Sequence, residues 1–163
     1  RAHALAEAAP ATGFIKLLAE AGAAGGSPFG LFGGLREVDG RVDLKAAGLF
    51  RLVATARCLA IRHGIAARGT GDRLRALRER GLGGEEDLDA YLGAQAFLRA
   101  GVAPKQLADI AAGAAPGNAV RLDRLGRGER RRLKAALKAI EGAPDLVRDL
   151  LFAAPEAGRG LRK

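Results

Sequence analysis

The sequence has no tryptophan and no methionine, and aromatic residues fill only 4% of its 163 positions. A core without large rings must be built from Leu, Ala, Ile and Val. Such side chains suit closely packed helices, and the β-branched and aromatic runs that strands prefer are sparse. One cysteine, Cys58, excludes an internal disulfide and favours a reducing compartment, the cytoplasm. No stretch approaches the ~20 consecutive apolar residues of a membrane span, and the first residues lack the apolar core of a signal peptide. The chain begins at Arg1 rather than Met, so it reads as a piece of a longer one.

Several chemistries are missing as well. His3 and His63 lie far apart and Cys58 stands alone, so no cluster has metal-ligand spacing. P-loop, GxSxG and HExxH motifs are absent. The glycines of "GLFGGL" make no dinucleotide-binding fingerprint, because no strand precedes them. The four acids of "GEEDLD" fall in a predicted first helical turn, where they match the helix dipole.

What is present is a well-punctuated helical pattern. Apolar residues make up 48%, which excludes general disorder. Glycine and proline divide the chain into a short Ala-rich helix stopped by Pro10, then an amphipathic helix over "ATGFIKLLAEAG". An ordered glycine-rich loop follows, with a hairpin-like turn at "EVDGR". The longest predicted helix runs from near Asp43 to His63, with Gly64 as its cap. Its residues Leu49, Leu52, Val53, Ala56, Leu59 and Ala60 follow the i, i+3, i+4, i+7 rule, so it is expected to be central and buried. Thr70 is predicted to cap "GDRLRALRERG".

Next comes a helix over "GEEDLDAYLGAQAFLRAG" with Arg99 near its end, and a separate one opened by Pro104 and closed by Gly113. A loop, "APGNAVRLDRL", leads to "GERRRLKAALKAIEG", with Leu133, Ala136, Leu137 and Ile140 inward, and then to "PDLVRDLLF". The expectation is an all-α bundle of about six to seven helices, one domain over residues 1–154, with a frayed tail over 155–163. Cys58 reads as a small buried hydrophobe, Tyr91 as a core-closing ring, and His63 as a partly charged cap at a helix C-terminus.

Two features suggest binding. The net charge is +9, with 27 basic residues against 18 acidic, as expected for an anionic partner and also for an arginine-rich composition bias. Arg130, Lys134 and Lys138 line up at i, i+4, i+8, a candidate anion-binding stripe that could equally be the solvated face of a basic helix. No aromatic residues interleave for base stacking, which argues against nucleic acid. The second feature is "GRVDLKAAGLF" (Gly40 to Phe50). Asp43 can cap the helix that follows. Lys45 then sits in a first turn, where the dipole disfavours a cation unless an anion binds there too. Gly48 would keep that surface low.

"SPFGLFGGL", "GRVDLKAAGLFRLVATARCLAIRHGI", "GTGDRLRALRERG", "KQLADIAAGAAPGN" and "DRLGRGERRRLKAALKAI" occur in the order and spacing of a bacterial domain. Over about Phe14 to Glu141 the chain resembles the family of putative nucleotidyltransferase substrate-binding domains. It is more distantly similar to the helical part of the uridylyltransferase that acts on the PII protein. The most specific pieces are "DLK" before a glycine and an apolar helix, and the "Gly-Asn" loop before the last long helix.

The resemblance implies a signal-transduction protein in which this domain follows a nucleotidyltransferase domain and a CBS-pair or cyclic-nucleotide-binding region. NTP and Mg²⁺ would serve the full-length protein, with no cofactor in this chain and no membrane or nucleic-acid partner. Asp43, Lys45 and Gly48 would lie at the nucleotide or substrate site. The catalytic Gly-Ser motif and paired acids are not in this chain, so alone it is expected to be inactive. Alternatives are a basic nucleic-acid-binding domain and a regulatory bundle that binds a partner but no ligand. The chain departs from the family at "AAG", where only Gly48 is kept. It departs again at "AGVAPKQ", where Pro104 is expected to break the helix and only Gln106 matches.

Overall fold

The computed structural model describes residues 12–23 and 26–152; the predicted first helix and the tail over 155–163 lie outside them. The described residues form six α-helices: α1 (Thr12–Ala23), α2 (Phe50–Arg62), α3 (Thr70–Glu79), α4 (Glu85–Ala111), α5 (Arg127–Glu141) and α6 (Ala143–Phe152). Helix α2 is the hub, packed against α1, α3 and α6. Eight of its thirteen residues are buried, among them Leu52, Ala56, Leu59 and Ala60, in the i, i+3, i+4, i+7 order of the sequence. Helix α4 lies along α5, whose Leu133, Ala136, Leu137 and Ile140 all face the core. Gly64 ends α2 in the left-handed region at φ +64°, and the Ile65 N–H closes back on the Ala60 carbonyl at 2.7 Å, a glycine-capped helix end.

The glycine-rich loop is ordered. Phe29 and Leu35 form an antiparallel bridge, the Gly30 N–H donates to the Gly34 carbonyl at 2.8 Å, and Leu31 and Phe32 stand fully exposed at its tip. The Ser27 hydroxyl donates to Glu141 Oε1 at 2.6 Å, which ties this loop to the end of α5. The turn at "EVDGR" is a two-residue hairpin with Asp39 at φ +52° and Gly40 at φ +70°. Positive φ at both positions matches strand twist and selects the Asp-Gly pair.

The structure corrects the sequence reading at several points. Helical chain begins at Leu44, next to Asp43 as expected, but Lys45–Leu49 are π-helical and α2 itself starts at Phe50. Residues Arg41–Asp43 form strand β1, which pairs antiparallel with β2 (Ala119–Arg121) inside the segment expected to be a loop; Val42 faces Val120 and Asp43 faces Ala119. Three-residue strands carry too few alternations to show as a pattern. Between β1 and α2, residues Lys45–Leu49 form a π-helical turn in which the Phe50 N–H donates to the Lys45 carbonyl.

The two predicted helices around Pro104 are one helix of 27 residues. Pro104 removes the N–H that would bond the Ala100 carbonyl. It sits on the exposed side, however, while Leu98 and Val102 anchor the other side in the core. Arg99 is therefore mid-helix, not near a C-terminus. Thr70 is the first residue of α3 and not its cap, which is Gly69.

Cys58 is completely buried, with Sγ 3.6 Å from the Ile15 carbonyl, and burial pushes its thiol up to about 11. Tyr91 is buried too, its phenol raised to about 12 by burial and the nearby Asp87 and Asp145. His63 is not the charged cap expected. Burial first, then Arg62 and Arg80, lower its pKa below the usual 6.5, and its Nε2 is buried without a partner among the described residues. The cap is its backbone, whose N–H donates to the Leu59 carbonyl at 3.0 Å.

Candidate functional site

Strand β1 hands the chain directly to the π-turn, and the junction is held by Asp43. Its Oδ1 accepts from the backbone N–H groups of Lys45 and Ala46, both at 2.9 Å. Asp43 thus satisfies donors that a helix start leaves free. Asp43→Ala is expected to cost about 1 kcal/mol, and Asp43→Asn, which keeps the acceptor, much less. Urea unfolding midpoints of the two variants check this.

The turn then presents Lys45. The i→i+5 closure brings residues five apart toward one face, and such turns often mark functional sites. Lys45, Leu49, Phe50 and Val53 accordingly form one wall of a cavity of about 500 Å³. Helix α4 supplies the opposite wall with Gln95, Arg99, Val102, Ala103 and Gln106. Thr70, at the N-terminal end of α3, and Asn118, just before β2, complete it.

Asn118 reaches this place through the strand pair. Its carbonyl accepts from the Leu44 N–H at 3.1 Å, which extends the ladder by one bond. Its side-chain Oδ1 accepts from Gln106 Nε2 at 3.1 Å. "DLK" and "GN", far apart in sequence, therefore meet at one cavity because β1 and β2 are neighbours. Below Asn118 the loop is held by Asp109. Its carboxylate accepts from Lys105 Nζ at 2.6 Å and from the Gly117 N–H at 2.8 Å. Those bonds, with the charges of Lys105 and Arg41, hold its pKa below the usual carboxylate value.

A depressed carboxylate pKa stabilises the fold at pH above the ordinary Asp value of 3.8 and loses that effect as pH falls through the folded value. Asp123, paired with Arg121, and Glu141, held by Lys138 and Ser27, are shifted the same way. His63, also depressed, begins to weaken the fold as pH drops below 6.5. Urea midpoints measured from neutral to acid pH should fall first gently and then steeply below about pH 4. Asp109→Asn should flatten part of the steep step; an unchanged acid limb would show that the Asp109 contacts do not hold the loop.

The other residues singled out in the sequence lie elsewhere. Asp43 borders a separate depression with Arg36, Arg41 and Ala46. Gly48 is buried in the helix interface, where an added Cβ would stand 2.7 Å from Leu137 Cδ2. Arg130, Lys134 and Lys138 are exposed on α5, away from the Lys45 cavity. Arg130 Nε donates to the Leu125 carbonyl at 3.1 Å and Lys138 Nζ pairs with Glu141 at 2.8 Å, so much of the stripe serves the fold.

Sequence reasoning missed Arg99 and Gln95 as site residues, and it took Thr70 for a cap. Among the described residues the cavity is lined by two cations and no carboxylate, imidazole or thiol. It can bind and orient an anion. It does not fit a magnesium ion, which needs carboxylate oxygens, and no group of three metal-ligating side chains occurs among the described residues. No described helix is long and apolar enough to cross a membrane.

Fold and cavity together describe a helical domain with an acid-free cavity lined by two cations. Residues 12–150 match the family described as the putative nucleotidyltransferase substrate binding domain, and the chain belongs to that family. Searches of curated proteins and of solved structures returned no match.

Proposed function

We propose that this chain is the substrate-binding module of a nucleotidyltransferase, and that it completes the nucleotide or substrate site of a catalytic domain upstream in the same polypeptide. On this reading NTP and Mg²⁺ are held by the catalytic domain, whose acids would bind the metal, and this module positions the second substrate. A CBS-pair or cyclic-nucleotide-binding region would regulate the reaction as part of a cytoplasmic signalling protein. The observation that carries the reading is the acid-free cavity, in which Lys45 from the "DLK" element and Asn118 from the "Gly-Asn" loop share one wall system with Arg99. These are the two stretches most specific to the family, and packing alone gives no reason for their polar side chains to converge.

Asn118→Asp tests it in the full-length protein. The change is nearly isosteric, and Gln106 can still donate to the new carboxylate, so the fold should hold. It adds a negative charge to a cavity that has none. Turnover with labelled nucleotide is expected to fall at least tenfold. Turnover equal to the parent would sink the assignment.

A further inference from the structure

The cavity also indicates what kind of substrate enters it, on the reading of the chain as a substrate-binding module. Its volume of about 500 Å³ falls within the ~300–1,000 Å³ of small-molecule sites. Its charge is one-sided. Some cations elsewhere are matched to neighbouring acids, Arg75 to Asp72, Arg78 to Asp89, Lys105 to Asp109 and Arg121 to Asp123, but no described acid lines this cavity. Among the described residues Lys45 and Arg99 have no such partner. Asp43, only two residues from Lys45, has its Oδ1 turned onto the backbone instead. Two cations from separate elements suit a dianion better than a single carboxylate, and a phosphomonoester carries about −1.5 to −2 at neutral pH.

The remaining lining is divided. Leu49, Phe50, Val53 and Val102 are apolar, and Phe50 keeps 52% of its surface exposed although it is one of only six phenylalanines. A ring left open at the edge of a cationic pocket offers a stacking surface. The amides form the polar complement. Because Asn118 Oδ1 is used by Gln106, the Asn118 amide keeps its N–H₂ to donate.

We propose that the cavity takes a small phosphomonoester carrying a flat ring, with the phosphate between Lys45 and Arg99, the ring against Phe50, and polar ring edges met by Gln95, Gln106 and Asn118. The ligand of this cavity is then a small molecule and not a segment of protein or polynucleotide. The same chemistry could come from the nucleotide donor or from a phosphorylated acceptor, and the test includes both.

The 163-residue chain is titrated with a panel: AMP, GMP, CMP and UMP, ATP as the donor form, and flavin mononucleotide and pyridoxal 5′-phosphate as acceptor-like forms. Adenosine and ribose 5-phosphate serve as controls. Binding is followed by calorimetry and by amide chemical shifts. At least one ring phosphomonoester is expected to shift residues 45–53, 95–106 and Asn118, and to bind at least tenfold tighter than its unphosphorylated ring. Lys45→Ala and Arg99→Gln should each weaken it tenfold or more without moving the melting midpoint of the ligand-free chain. If ATP alone binds, the phosphomonoester assignment fails and the pocket belongs to the donor's triphosphate; if a monophosphate binds and ATP does not, the pocket belongs to the acceptor.

The proposal fails if no panel member binds at millimolar concentration, if adenosine matches AMP, or if both variants bind like the parent. These outcomes are separable from the test of the module itself. An empty panel with loss of turnover in Asn118→Asp overturns the ligand class alone. Tight binding with turnover untouched overturns the module reading and leaves the ligand site.

Discussion

Gly48→Val is expected to lower the thermal midpoint of this chain by about 6–12 °C. Gly48 is buried at the point where the π-turn meets α4 and α5. A Cβ built there would lie 2.7 Å from Leu137 Cδ2, 3.0 Å from Leu98 Cδ1 and 3.3 Å from Ile140 Cδ1. All three neighbours have no exposed surface, so none can swing outward to make room. Overpacking of this kind costs typically about 1–3 kcal/mol, and valine, with two methyls beyond the Cβ, belongs at the upper end. About 3 kcal/mol converts to the stated shift at roughly 2–4 °C per kcal/mol for a chain of this size. Gly48→Ala should lose less, because removing a helical glycine returns about 0.5–1 kcal/mol. Calorimetric melting decides the matter; a valine variant within about 2 °C of the parent would mean that the π-turn is not wedged as described.

Lys45→Ala should do the opposite, leaving the fold alone and removing function. Its side chain is exposed and its only hydrogen bonds to Asp43 come from the backbone N–H, so stability should change by no more than about 0.5 kcal/mol. On the proposed function its ammonium meets a phosphate or other anion, and the lost charge-assisted bond costs about 1.5–3 kcal/mol, roughly tenfold to a hundredfold in affinity. Michaelis constants in the full-length protein, with melting of the isolated chain as control, separate the two effects. Lys45→Arg should recover part of the loss, since charge remains while the reach and shape of the head group differ. A Lys45→Ala variant with kinetics equal to the parent would reduce "DLK" to a helix start.

Much of the fold was readable because its helices bury stripes that repeat at helical spacing. Leu52, Ala56, Leu59 and Ala60 on α2, and Leu133 to Ile140 on α5, were legible for that reason. Asp39 and Gly40 announced their turn through residue type. What escaped notice depended on partners distant in the chain. Val42 and Val120 are too short a pair to show alternation, and a π-turn leaves no periodic mark in five residues. Pro104 was read by its intrinsic cost, which tertiary anchoring at Leu98 and Val102 overrides.

The same division holds at the site. Lys45 stood out because a cation at a helix start conflicts with the dipole. Arg99 gave no such signal, since an arginine on a helix is ordinary until the opposite wall is known. Gln106 and Asn118 were visible only as matches to a family pattern, and their bond to each other was not.

The β1–β2 pair also makes the cavity a matter of loop closure. Lys45 and Asn118 are brought together only when the whole intervening chain closes on itself at Leu44 and Asn118. The entropy of that closure grows with the logarithm of loop length, about 0.6 kcal/mol per doubling. Lengthening an exposed turn between the helices therefore barely alters the cost of forming the cavity, whereas a side chain that spoils the Val42–Val120 pairing removes the clasp itself. A ligand spanning Lys45 and Asn118 fastens the same loop. At a hundred times its dissociation constant it would add about 2.7 kcal/mol to stability, so occupancy of the pocket and resistance to unfolding rise together.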